Sequence, residues 1–224
     1  MFENISIGIN PSKKTYKIKF QDKIFNSEVY KSPSQINLKD TKVEVVFLDS
    51  AKVFKNIASL KFTNKRANIG DEDPQTILCL TKFLSNVNVI KSNSKSITIG
   101  ANAQGNRMKQ ILYEFLDSSF VDSHDYCFRK SAIQEDFDVT NIHNGRFRVI
   151  CLFRIKPPEH KKEKIKYFLE VVLLDPYHLF IPSQLKIQNS NSGKIDILDR
   201  NQVMNTVYER VKDYNRDFDI TADF

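Results

Sequence analysis

Apolar and polar residues alternate most regularly in RFRVICLFRI, residues 146–155. Phe147, Val149, Cys151, Phe153 and Ile155 share one face of an extended chain, and Arg146, Arg148 and Arg154 fall on the other. IKYFLEVVLL, residues 165–174, is apolar on both faces through much of its length, as a strand covered on both sides would be. KPPEHKKEK joins these two runs as a hydrophilic hairpin, with Pro157 and Pro158 stopping the ladder. TKVEVVFLD predicts another strand, with Val43, Val45 and Phe47 on one face and Glu44 on the other. TYKIKF and KIFNSEVY, on either side of Gln21-Asp22, alternate well enough for an antiparallel hairpin, while FKNIASLKF reads as a strand or a short helix.

Helical spacing takes over in three places. Asp73 caps a helix with Pro74 in its first position, and Ile77, Leu80, Thr81 and Leu84 trace its inward stripe. Met108, Ile111, Leu112, Phe115 and Leu116 define a second helix in ANAQGNRMKQILYEFLDSSF. Val203, Val207 and Val211, supplemented by Met204, Tyr208 and Tyr214, define a C-terminal one.

The remaining segments carry weaker patterns. VNVIKSNSKSITIG offers two short β-prone runs around a polar turn, and residues 117–145 are polar and irregular. LFIP after Asp175-Pro176-Tyr177-His178 predicts a brief returning strand, and SQLKIQNSNSGKIDIL a polar loop followed by a short strand. The acidic tail, residues 215–224, either docks back, meets a partner or frays.

Strands and helices in this order, without strict βαβ repetition, predict an α+β fold with predominantly antiparallel sheet regions, two internal helices and a C-terminal covering helix. A boundary near residue 120 would separate an N-terminal α+β region, 1–120, from a C-terminal sheet plus helix, 121–224, unless the two are one continuous domain. A chain of 224 residues, 41% hydrophobic and with 17 Phe, has enough apolar material for a core without metal or disulfide support. Cys79, Cys127 and Cys151 are odd in number and lack Cys-x-x-Cys spacing, so free thiols in a reducing compartment are expected. The N-terminus has no export pattern and no apolar run approaches a membrane span, which predicts a cytoplasmic location and no membrane partner.

Charge then brings in function. Lys and Arg exceed Asp and Glu by 7, a balance that attracts polyanions at low salt. The densest basic region combines Arg146, Arg148 and Arg154 with Lys156, Lys161, Lys162, Lys164 and Lys166, and Tyr177 would add a stacking surface if exposed. The bland alternative is a solvated strand face partly neutralised by Glu159, Glu163 and Glu170.

Asp175 beside His178 has residue types suited to proton transfer, although an ordinary turn explains them too. His143 with Arg146 or Arg148 would complete a metal-independent phosphodiesterase or ribonuclease site. Gly100, Asn102, Gly105, Asn106 and Arg107 surround a strand-to-helix junction that could meet an anion, but they match no established phosphate loop, and a structural turn is the preferred reading. His124 with Asp122 and Asp125 has no metal-ligand spacing, and no metal or cofactor is expected. The leading expectation is a small basic nucleic-acid-binding protein in a regulatory, defence or mobile-element setting. The alternatives are the phosphodiesterase and a protein-interaction or assembly factor, with a protein partner or a homo-oligomer.

Overall fold

In chain order the strands are β1 (Val43–Phe47), β2 (Asn56–Ile57), β3 (Phe62–Thr63), β4 (Lys95–Ser96), β5 (Phe128–Ala132), β6 (Arg148–Lys156), β7 (Lys166–Asp175), β8 (Leu185–Gln188) and β9 (Ile195–Leu198). The α-helices are α1 (Asn88–Ser92), α2 (Ala103–Tyr113), α3 (Ser118–Ser123) and α4 (Arg200–Val211). The computed structural model describes residues 42–68, 76, 80, 81, 88–132, 147–156, 158, 162, 164–188 and 195–220. The expected hairpin of TYKIKF and KIFNSEVY lies outside them.

The fold is α+β. Its five-stranded sheet has the order β1-β7-β6-β5-β4, antiparallel except where β1 runs parallel to β7. Strands from both sides of residue 120 therefore share one sheet. β6 and β7 form its centre, and the register shift between Ile150 and Cys151 leaves Val172 as the extra residue of a bulge. Val149, Cys151, Phe153 and Ile155 are buried together with Leu169 and Val171, as the alternation predicts. Phe153 stacks on Tyr167 at 6.1 Å, and β1 turns Val43, Val45 and Phe47 against the same core.

Five expectations need correction. VNVI enters α1 rather than a strand, with Ile90 fully buried. Five residues make just over one turn, so tertiary packing overrides the β preference of Val and Ile. The polar stretch after Asp117 contains α3 and then β5, a strand whose alternation is masked by Arg129 and Lys130. Thr76, Leu80 and Thr81 are helical, but Thr81 is exposed while Thr76 and Leu80 are buried, so the inward stripe runs through Thr76. LFIP is irregular, and the LKIQ run within SQLKIQNSNSGKIDIL is itself a strand, β8, which pairs with β9 as a separate hairpin.

FKNIASLKF divides between both expectations: β2 and β3 flank a 3-10 turn over Ala58–Leu60. The C-terminal helix α4 follows a complete capping box between Asp199 and Gln202 and buries Val207, Tyr208 and Val211. Beyond it the described part of the tail, residues 215–220, docks back. Arg66 and Arg216 exchange backbone hydrogen bonds of 2.7 and 3.2 Å, and Phe218 packs against Phe54 and Phe147.

The junction before α2 contains a helix cap. Asn102 caps the helix by accepting from the Gly105 N–H at 2.8 Å, and Gly100 has φ of +80°. A Cβ on Gly105 would lie 2.8 Å from the Gly100 nitrogen. Helix propensity alone would make Gly105→Ala stabilising by about 0.5–1 kcal/mol. The close approach instead predicts a loss of about 1–3 kcal/mol in urea denaturation, the usual range for overpacking. A gain in stability would contradict that close approach.

Candidate anion-binding cleft

β7 ends in a carboxylate with no solvent exposure. Asp175 sits opposite Arg148 in the β6–β7 register, and its Oδ1 accepts from the Leu179 N–H at 2.9 Å, closing the turn through Pro176, Tyr177 and His178. Oδ2 has no hydrogen-bond partner among the described residues. Burial raises the Asp175 pKa above the ordinary carboxylate value, and the positive fields of Arg148 and Arg107 oppose that rise. His178 occupies the left-handed region at φ 62°, an uncommon position for a non-glycine residue.

Two arginines hold the irregular chain beyond this turn. From α2, Arg107 donates to the carbonyls of Leu60 and Leu179, each at 2.8 Å, and to those of Lys61 at 3.2 Å and Phe180 at 3.4 Å. Burial brings its pKa down to about 10, so it is still a cation at neutral pH. From β6, Arg148 donates to the Ile181 carbonyl and, at 3.1 Å, to the Ser183 hydroxyl. The carbonyls of residues 179–181 thus meet guanidinium groups where a sheet would offer a neighbouring strand, which accounts for the missing strand at LFIP.

Arg148 lines a cleft of about 390 Å³. Its cations are Lys130 from β5, Arg148 from β6 and Arg200 from the first turn of α4. Hydroxyls of Ser96, Thr98 and Ser183 and the side-chain amides of Asn102, Gln104 and Gln184 complete most of the polar lining. Gln104 accepts from Arg200 at 2.8 Å, which ties α2 to α4 across the cleft. The short strand β4 is held by Arg129, which donates to the Ser94 hydroxyl at 2.8 Å and the Ser96 hydroxyl at 2.9 Å. No Asp or Glu and no aromatic ring is among the described lining residues.

The sequence-derived basic group divides. Arg148 is buried and lines the cleft, whereas Arg154 is held by Glu170 at 2.6 Å and lies 4.3 Å from the Phe168 ring centroid. The arginine face of β6 is therefore covered rather than solvated over much of its length. Lys156 is half-buried, and Lys162, Lys164 and Lys166 are exposed near the opposite end of the hairpin. The length of β6 puts that end about 27 Å from Arg148. Arg146 and Lys161 lie outside the described residues.

Tyr177 is buried, donates to the Lys65 carbonyl at 2.8 Å and meets Tyr214 edge-on at 5.7 Å, so its ring packs internally. His143, on which the phosphodiesterase arrangement depends, lies outside the described residues. His178 is half-buried and does not line the cleft. His124 is buried, stacked on Phe120 at 4.6 Å, with Nδ1 2.9 Å from the Phe120 carbonyl. Cys127 and Cys151 are free, and burial pushes both thiols up to about 12.

Among the described residues no helix is long and apolar enough to cross a membrane. No family model, curated protein or solved structure matches the chain.

Removing the Asp175 carboxylate leaves the buried Leu179 N–H without its acceptor and takes away the negative field that Arg148 meets. Asp175→Ala should therefore cost about 1–3 kcal/mol in urea denaturation, and an unchanged midpoint would contradict that role. The pH dependence has a definite sign. A carboxyl raised above 3.8 by burial lets the folded protein bind more protons than the unfolded chain, so stability falls as pH rises from 3.8 through the folded value. Asp175→Asn should remove that part of the fall; an unaltered pH profile would show that Asp175 does not titrate in this way.

Proposed function

We propose that the chain binds nucleic acid and makes its phosphate contacts in this cleft. The observation that carries the reading is the convergence of Lys130, Arg148 and Arg200, from three separate elements, on a cleft with no carboxylate among its described lining residues. Cationic donors beside hydroxyl and amide groups suit phosphate oxygens and sugar hydroxyls. The overall charge of +7 adds long-range attraction to a polyanion. Arg148 contributes a positioned guanidinium, which donates to Ile181 and Ser183 and lies in the field of Asp175. Arg200 is exposed and Lys130 half-buried.

Affinity for single-stranded and double-stranded RNA and DNA, measured against salt concentration, tests the proposal. Each cation removed from the phosphate site should lower the log–log salt slope by about one, so Lys130→Ala and Arg200→Ala should each weaken binding and flatten the slope. Joint replacement of Lys162, Lys164 and Lys166 by Ala should have the smaller effect on affinity. The reverse ranking would move the phosphate site to the hairpin end, and failure of every nucleic acid to bind at low salt would refute the function.

A further inference from the structure

We infer that the cleft receives a strand end bearing a phosphate monoester, in preference to a phosphodiester within a strand. This deepens, and rests on, the nucleic-acid reading above.

Charge provides the first argument. Three cations line a single cleft of about 390 Å³, and Asp175, behind Arg148, offsets part of one of them. An internal phosphodiester brings one negative charge, whereas a phosphate monoester carries about −1.5 to −2 at neutral pH and presents three strong acceptor oxygens. The terminal group is the better match to the positive charge that remains. The exposed guanidinium of Arg200 and the ammonium of Lys130 can address several oxygens of one phosphate, and Arg148, held by Ile181 and Ser183, adds positive charge to the lining.

The rest of the lining supplies the second argument. Proteins that hold the interior of a single strand commonly stack bases on aromatic side chains. The described lining has none; its apolar members are Ile97, Met108, Ile181 and Pro182. Ser96, Thr98, Ser183, Asn102, Gln104 and Gln184 instead offer hydrogen bonds suited to phosphate and sugar groups. Recognition of this kind is indifferent to the identity of the terminal base.

Fluorescence anisotropy with short single-stranded oligonucleotides of one sequence tests this inference, using versions with a 5′-phosphate, a 3′-phosphate or hydroxyls at both ends. One phosphorylated form should bind about tenfold more tightly than the hydroxyl form, as one or more added charge-assisted hydrogen bonds would give. The 5′ and 3′ arms identify which end enters. Arg200→Gln should abolish the advantage, and Lys52→Gln, at an exposed position outside the cleft lining, should preserve it. Circular dichroism and the urea midpoint of each variant separate impaired recognition from impaired folding.

Equal affinity for all three oligonucleotides would overturn end recognition while leaving nucleic-acid binding intact. An advantage that survives Arg200→Gln in a folded protein would also overturn it, by placing the end elsewhere. Binding by none of the three would overturn both readings.

Discussion

Asp175 is the constraint around which one end of the central strand pair, β6 and β7, is organised. A carboxylate without solvent exposure is costly unless charge and hydrogen bonds replace its water. Here the replacements are the Leu179 N–H and the fields of Arg148 and Arg107. Those arginines also serve the surrounding backbone. Arg107 joins α2 to the turn after β7 and to the 3-10 segment near Leu60, while Arg148 fixes the chain at Ile181 and Ser183. One buried charge thereby brings together the centre of the sheet, a helix and an irregular segment that has no strand partner.

The cleft is built on that arrangement. Its wall at residues 181–184 is held by Arg148, its opposite rim is joined by Arg200 and Gln104, and its β4 side is secured through Arg129. In the proposed function, side chains held in this way would lose little freedom on meeting an anion, so more of the interaction energy would be retained as affinity. Asp175 thus has a structural role in the fold and, in the proposed function, a positioning role for Arg148.

Where the core pattern was strong, the sequence was legible. The apolar face of β6, the doubly apolar β7 and the helical stripe of α4 correspond to buried residues, although the opposite face of β6 is also largely covered, with Arg148, Ile150 and Leu152 buried. β5 was obscured because its Arg129 is satisfied internally by Ser94 and Ser96, so a charged residue occupies a buried strand position. LFIP looked extended because four apolar residues carry no sign that guanidinium groups, supplied from positions 107 and 148, take their backbone carbonyls. The cleft was legible only through Arg148 and through Asn102 at the strand-to-helix junction. Its other cations, Lys130 and Arg200, lie 70 positions apart in sequence and line one cleft only when β5, β6 and α4 assemble. No local motif encodes that convergence.

Amide chemical-shift mapping offers the most direct test of where the proposed ligand lies. With a 5′-phosphorylated and a 3′-phosphorylated oligonucleotide titrated separately into the ¹⁵N-labelled protein, the account predicts that the largest shifts fall at Ile97, Thr98, Gln104, Lys130, Ser183 and Gln184. Shifts concentrated instead at Lys162, Lys164 and Lys166, or no saturable shifts with either ligand, would contradict the assignment of the cleft as the phosphate-binding site.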